Sequence, residues 1–399
     1  MSAQCEKNKR IKVLLLDTND AMGGVVRVHL NLLKNVDRTR FHMTAACLWR
    51  GQVLSAFQSI PKLTLITLEA GTKPVQMSQG IRARLADAAG LLPLVFSVIR
   101  LIVFCLKNRI QVIHTSDKKR ALVIANIIHQ VTGIPFIYHI HDVFANYRLN
   151  RRILRSAAAI VANSQDMKRD FLEHVGREME KIQIVYNGLD PETFRPGLIS
   201  TLPAELGLDK SHTLIGIASR LAPNKGQETF LRAAAIVSSR YDSVHFVLAG
   251  DDAIFSDNQD FVPFLHKLAE ELSLSDHVHF LGYRNDIVDI YSGLDVVVNA
   301  AWREAFGMVV VEPMACGKVV VGTRSGGIPE IIQDGKNGFL FPPRDHEALA
   351  RLLLNLLEQR DLLQQVGQEA RKTVLDRFTI AKQAQALEDI YQQVGEKKL

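Results

Sequence analysis

Two doubly wound α/β domains in tandem are what this sequence predicts, on three observations. The chain has 399 residues, and at roughly 150 residues per domain that length suits two domains or one large barrel. Short β-rich apolar runs alternate with longer stretches of helical period, the pattern of parallel strands joined by crossover helices. The alternation stops once, in a Pro- and Gly-rich stretch over 190–209, and then restarts.

Taken in order, the first series is Ile11–Leu16, Thr44–Trp49, Val112–His114, Phe136–His141, Ala159–Ala162 and Ile182–Tyr186. The break holds Pro191, Pro196, Gly197, Pro203 and Gly207, and predicts a linker over 196–212. The second series is Thr213–Ser219, His245–Ala249, Val278–Leu281, Asp295–Asn299, Val319–Thr323 and Gly338–Phe341. Domains are therefore expected over 1–195 and 213–372. The tail, 373–399, is helical in pattern and expected to pack back on the first domain. In open α/β sheets ligands bind at the carboxyl ends of the strands, so the loops there are the candidates for function.

Composition narrows the class. Hydrophobic residues are 47% and charged residues 23%, which excludes long disorder, collagen-like repeats and coiled-coil rods. Charge is unevenly placed: Met1–Ser200 holds 28 basic and 15 acidic residues, Thr201–Leu399 holds 20 and 27. A basic first half suits an anionic partner such as a lipid surface or a phosphorylated ligand. Cys5, Cys47, Cys105 and Cys316 are far apart, so neither a disulfide framework nor a zinc site is indicated. The polar Met1–Arg10 and the short run Ile11–Leu16 do not make a signal peptide, and a cytoplasmic location is expected. Leu91–Leu106 is strongly apolar but only sixteen residues, interrupted by Pro93 and Arg100, short of the roughly 20 a spanning helix needs. With Arg82 and Arg84 before it and Lys107 and Arg109 after, it reads preferentially as a helix buried on a sheet. The second reading is a helix resting on the inner, anionic face of a membrane.

Three segments could carry chemistry. Gly23-Gly24 opens an amphipathic helix after the first strand, where backbone N–H groups can hold an anion and glycine admits a close ligand. It is not G-x-G-x-x-G, so a nicotinamide or flavin dinucleotide is weakly supported. Arg220 and Lys225 follow a strand end five residues apart and could converge on a diphosphate, a planar fork and a point charge. No Asp-x-Asp occurs in the chain, so a carboxylate-held metal is not the obvious counter-charge. The third segment, 301–330, holds Glu304, Phe306-Gly307-Met308-Val309, Glu312 and Gly326-Gly327-Ile-Pro329-Glu330. By pattern alone Met308–Val311 looks like a strand, and Pro313 discourages a helix.

That third segment resembles the signature of the family 4 retaining glycosyltransferases with the GT-B fold: Glu, seven residues, Glu, a small-residue helix end, and a Gly-Gly-x-Pro-Glu turn. The resemblance extends, in the family's order, to Gly23-Gly24, His141-Asp142, Asn163-Ser164, Tyr186-Asn187-Gly188, Arg220 with Lys225-Gly226, and Phe280-Leu-Gly282-Tyr283, over about residues 11–345. It implies two Rossmann-like domains facing across a cleft, the first for the acceptor and the second for a nucleoside-diphosphate sugar.

Position by position, it implies that Arg220 and Lys225 grip the donor diphosphate, helped by backbone N–H groups of Phe306, Gly307, Met308 and Val309 in place of a metal. Glu312 would bind the ribose hydroxyls and Glu304 those of the transferred sugar, since a carboxylate offers two acceptor oxygens to a diol. His141 would lie near the reaction centre, Gly23 and Gly24 would admit acceptor and leaving phosphate, and Tyr283 and Arg284 would sit by the base. Retention needs no protein nucleophile if the leaving phosphate itself draws the acceptor proton. Three departures are mild: Ser219 stands for the usual glycine, Lys318 for proline, and Pro313 for alanine. The acidic stretch Asp251-Asp252 and Asp257–Asp260 reads as a solvated loop.

The expected activity is hexosyl transfer from a nucleotide sugar to a glycan or lipid-linked hydroxyl in cell-surface polysaccharide assembly, without metal or other cofactor. A nucleotide-sugar 2-epimerase of the same fold, or a non-catalytic sugar-nucleotide binder, are the alternatives. The Glu304 and Glu312 pair favours transfer over the first, and the presence of Glu304, His141 and Lys225 speaks against the second. Nucleic acid is not expected as a partner, because no basic motif with interleaved aromatics appears.

Overall fold

The computed structural model describes residues 10–19, 22–68, 81–116, 119–141, 147–176, 181–251 and 260–396, with side chains of 81–91 and 147–150 excepted. The motif residue Asp142, the acidic residues Asp252 and Asp257, and the Arg82 and Arg84 side chains lie outside that description. The chain divides into two compact units, Met1–Gly188 with Ile380–Leu399, and Leu189–Thr379.

The first unit is a seven-stranded parallel sheet of β1 (Ile11–Asp17), β2 (Phe41–Cys47), β3 (Thr64–Thr67), β4 (Val112–Ser116), β5 (Phe136–Ile140), β6 (Ala159–Ala162) and β7 (Ile182–Ile184), in the order β3-β2-β1-β4-β5-β6-β7. Its helices are α1 (Gly24–Asn35), α2 (Gln52–Gln58), α3 (Ile81–Asn108), α4 (Lys119–Thr132), α5 (Tyr147–Ser156) and α6 (Gln165–Val175). The strand sequences are near-continuous apolar runs because helices cover the sheet, as in IKVLLLD and AIVA. One face packs Val13, Leu15 and Val112 against Val26, Leu30 and Leu33 of α1 and against Leu387, Ile390 and Tyr391 near the chain's end. Each such fully buried side chain contributes about 1.5–3 kcal/mol.

The second unit begins with α7 (Leu202–Glu205). Its six-stranded parallel sheet comprises β8 (Thr213–Ala218), β9 (Val244–Ala249), β10 (Val278–Gly282), β11 (Val296–Asn299), β12 (Val319–Thr323) and β13 (Phe339–Phe341), in the order β10-β9-β8-β11-β12-β13. The helices α8 (Gln227–Ser238), α9 (Phe261–Glu271), α10 (Ile287–Gly293), α11 (Met308–Ala315), α12 (Ile328–Ile331), α13 (His346–Glu358) and α14 (Arg360–Arg377) complete it, and α15 (Ile380–Glu396) belongs to the first unit.

Two expectations meet differences, and one local pattern gives way to what the resemblance implies. The stretch 196–212 lies within the second unit, where Ser200 and Thr201 hydrogen-bond Asp289. Met308–Val311, strand-like by pattern alone, is the start of a helix, as the resemblance implies, and Pro313 is accommodated inside it. β-branched residues there are buried on the sheet, so tertiary packing overrides local preference. Finally, Leu92–Leu106 is neither wholly buried nor spanning. Ser97, Val98, Leu101 and Cys105 face the core while Leu92, Val95, Phe96, Ile99, Val103 and Leu106 are exposed. No helix among the described residues is long and apolar enough to cross a membrane.

Candidate active site

In both sheets the strand order reverses beside the first strand of the unit, between β1 and β4 and between β8 and β11. Loops leaving the carboxyl ends of those strands diverge to opposite faces and open a crevice between them.

In the second unit, Arg220 is exposed just past β8, and Lys225 follows on a single 3₁₀ turn, Pro223–Lys225. Glu304 is on the loop after β11, and its carboxylate receives the Lys225 ammonium at 2.5 Å, both side chains being mostly buried. The two loops are joined directly: the Trp302 N–H donates to the Asn224 carbonyl at 2.9 Å. Gly226, at φ 76°, lies so close that a Cβ there would run into the Ala300 carbonyl. Only glycine satisfies both that backbone angle and that contact. The next residue, Gln227, is fully buried, and its amide holds Ser219 Oγ at 3.1 Å and the Arg220 carbonyl at 2.9 Å. Its side chain thus fixes the backbone from which Arg220 projects.

On the other side of Glu304, Gly327 donates its N–H to the Glu304 carbonyl at 2.8 Å, and Gly326, at φ 62°, abuts the Glu304 backbone. The Gly-Gly turn is therefore a mould for the glutamate loop. Gly307, at φ 115°, caps α11, with Phe306 buried against Phe378, ring centroids 5.6 Å apart. Phe306 can meet a ligand only through its backbone. The first amides of α11, at Met308 and Val309, have no partner within the helix and carry its positive dipole end. Glu312, one turn on, accepts from the buried Tyr291 hydroxyl at 3.1 Å. Arg220, Lys225, Glu304, Glu312 and the start of α11 are thus gathered around one switch point.

Tyr283 is exposed beyond the end of β10, an edge strand. Arg284 is committed elsewhere: Asp286 and Glu205 each hold it at 2.6 Å, and those bonds raise its pKa.

In the first unit, Gly23 precedes α1 in extended conformation and Gly24 begins it. Among the described residues a Cβ at either would meet nothing within 4 Å, so these glycines leave space that those residues do not fill. His141 follows the end of β5 and is 7% exposed, its carbonyl bonded by the Asn163 amide at 3.1 Å. Behind it runs a column of imidazoles. His139 lies 3.9 Å from His141 between ring centroids, His114 stacks on His139 at 5.4 Å, and His114 Nδ1 meets the Tyr391 hydroxyl of α15 at 2.6 Å. Burial pushes all three imidazoles toward neutrality, with the neighbouring histidines adding to it: His114 goes down to about 3, and His139 and His141 lie well below the usual value.

Sequence reasoning missed a second constellation here. Asp17, at the end of β1, His29 of α1 and Ser116, at the end of β4, form a buried chain: His29 Nδ1 to Asp17 at 2.7 Å, and His29 Nε2 to Ser116 Oγ at 3.1 Å. Burial would push the Asp17 carboxyl up, but His29 and two bonds from Asn19 hold it below the usual range. His29 thus joins the Asp17 carboxylate through one ring nitrogen and the Ser116 hydroxyl through the other. The chain ties α1, and so Gly24, to both strands of the switch point. These residues are 12 and 87 positions apart, and only the β1–β4 pairing brings them together.

Two doubly wound sheets, the second with its cations, carboxylates and helix start at the switch point, define the GT-B class of fold. The description Glycosyltransferase Family 4 matches residues 22–193 and Glycosyl transferases group 1 matches residues 199–373. The chain belongs to this glycosyltransferase family. It is 33% identical over 238 residues to EpsD of Bacillus subtilis (strain 168), a protein named as a glycosyltransferase, covering 58% of this chain and 59% of that one. Over 213 residues it is 30% identical to the N-acetyl-alpha-D-glucosaminyl L-malate synthase of Bacillus anthracis, covering 53% and 54%. The chain thus spans little more than half the length of these curated relatives. Among solved structures, Anabaena HepE in complex with UDP-glucose superposes with a TM-score of 0.77 at 27% identity, over 96% of this chain and 100% of that one.

Proposed function

We propose that this protein transfers a hexosyl unit, with retention of anomeric configuration, from a nucleoside-diphosphate sugar to a hydroxyl of a glycan or lipid-linked acceptor in cell-surface polysaccharide assembly. The observation that carries the reading is the convergence of Arg220, Lys225, Glu304, Glu312 and the α11 N-terminus at the β8/β11 switch point. The complexes of HepE with UDP and glucose support a uridine diphosphate donor.

In this reading the diphosphate replaces Glu304 as the partner of Lys225, and Arg220 and the Met308 and Val309 amides take the remaining negative charge. Glu304, freed, turns to the sugar hydroxyls, while Glu312, held by Tyr291, receives the ribose. As the bond between the anomeric carbon and the phosphate oxygen breaks, that oxygen draws the proton from the acceptor hydroxyl attacking the same face. The products are the transferred glycoside and the nucleoside diphosphate, with no covalent intermediate on the protein and no metal. His141, neutral and at a strand end, suits a hydrogen bond to the sugar and not a charge.

Proton NMR of slow UDP-glucose hydrolysis tests the stereochemistry, with water standing in for the acceptor. The α-anomer of glucose should appear first, at a rate unchanged by chelator. First appearance of the β-anomer would contradict retention.

A further inference from the structure

The sequence left α3 between two readings, and the structure gives it a face that no strand or other helix among the described residues covers. A surface helix ordinarily turns a polar face to water. On α3 the outer face is Leu92, Val95, Phe96, Ile99, Val103 and Leu106, each between 51 and 69% exposed, at helical spacing. Its neighbour α4 adds Ile127 and Val131. Of thirteen strongly exposed large apolar side chains among the described residues, eight lie on these two adjacent helices. Concentration of this kind marks an interaction surface, whereas scattered apolar residues do not.

Charge along this part of the sequence is mostly positive. From Ile81 to Gln165 the sequence carries twelve basic residues and three acidic ones. Arg100 and Lys107 are exposed one turn from Phe96 and Val103. Arg152, exposed on α5, lies on the helix that packs beside α4. Two copies of such a face would bring like charges together, so the pattern disfavours self-association. An apolar stripe rimmed by cations matches the acyl boundary and headgroups of an anionic bilayer, with the helix lying in the interface and not crossing it.

We propose that the outer face of α3 and α4, with the cations of α3 and α5, docks this protein on an anionic membrane surface. The inference stands on exposure and charge alone, independently of the donor chemistry.

Sedimentation of the full chain with vesicles of phosphatidylcholine, with and without phosphatidylglycerol, tests it. The wild type should bind only the anionic vesicles, and release with added salt. Phe96→Asp combined with Val103→Asp should lower partitioning at least tenfold, and Lys107→Ala and Arg152→Ala about fivefold each. Because these side chains are exposed, each variant should keep the wild-type melting temperature and its shift with UDP. That shift separates loss of docking from loss of the donor site. The proposal is overturned if the wild type ignores anionic vesicles, or if the Phe96/Val103 variant binds them undiminished. A solution dimer that the same double variant dissociates would also overturn it, making the face a self-interface.

Discussion

At the switch point of the second unit the functional groups are charged and reach the surface: Arg220 exposed, Lys225 and Glu304 paired at 2.5 Å, Glu312 one turn into α11. At the corresponding point of the first unit they are buried: the imidazoles of His141, His139 and His114, the Asp17–His29–Ser116 chain, and two glycines that leave open space. Under the proposed function one topology serves two recognition problems. A diphosphate needs fixed positive charge and backbone amides, whose effect survives at partial exposure because they are held on rigid loops. An acceptor side needs room and neutral hydrogen-bonding groups, and neutrality is secured by burial.

The contrast predicts where damage is greatest. Lys225→Ala should cost the most, about 10²–10³-fold in kcat/KM for donor turnover, equivalent to about 2.7–4 kcal/mol of transition-state stabilisation. Its melting temperature should change little, and initial-rate kinetics with a melting scan checks both. If His141→Ala proves as costly to UDP affinity as Lys225→Ala, the division between the units fails.

Next come the glycines, which should respond in opposite ways. Gly226→Ala places a Cβ on the Ala300 carbonyl at φ 76° and should destabilise by about 2–3 kcal/mol, read as a lower denaturant midpoint.

Acid should act on the first unit. His114 titrates at about 3 in the fold against about 6.5 unfolded, so between those values the unfolded chain binds more protons. Stability is then full above pH 6.5 and falls as pH drops through it, by about 2 kcal/mol at pH 5 for this one residue. His139→Leu, which replaces a ring with no hydrogen-bond partner among the described residues, should flatten the acid limb. An unchanged slope in urea titrations from pH 7 to about pH 5 would show that these histidines are not held neutral.

Gly24→Ala should have the smallest effect, and of opposite sign. Alanine begins a helix better than glycine by up to about 0.5–1 kcal/mol, and nothing among the described residues obstructs it. The variant should be as stable or slightly more so, yet slower in transfer, as seen by comparing melting with acceptor KM.

Legibility in the sequence followed the same division. The strands showed as apolar runs because parallel strands are buried on both faces, and of those among the described residues only the four-residue edge strand Thr64–Thr67 was missed. The residues proposed to hold the donor are contiguous in two loops, so their spacing survives in the sequence and the family resemblance could find them. Gln227 escaped because its role is backbone support, which leaves no chemical mark of its own. In the first unit, His114 meets Tyr391 across 277 positions, and no local pattern encodes such a contact. The face of α3 was ambiguous for a related reason: a helix apolar on all sides reads as buried until its neighbours are known.

The second unit is proposed to hold a nucleoside diphosphate at the β8/β11 switch point, through Arg220, Lys225, Glu312 and the start of α11. Isothermal titration of UDP, without metal, into the wild type and Glu312→Ala tests it most directly. The account predicts saturable binding to the wild type and at least a tenfold loss in the variant, with GDP and ADP weaker than UDP. Equal affinity for UDP in both proteins, or no binding to the wild type, would contradict it.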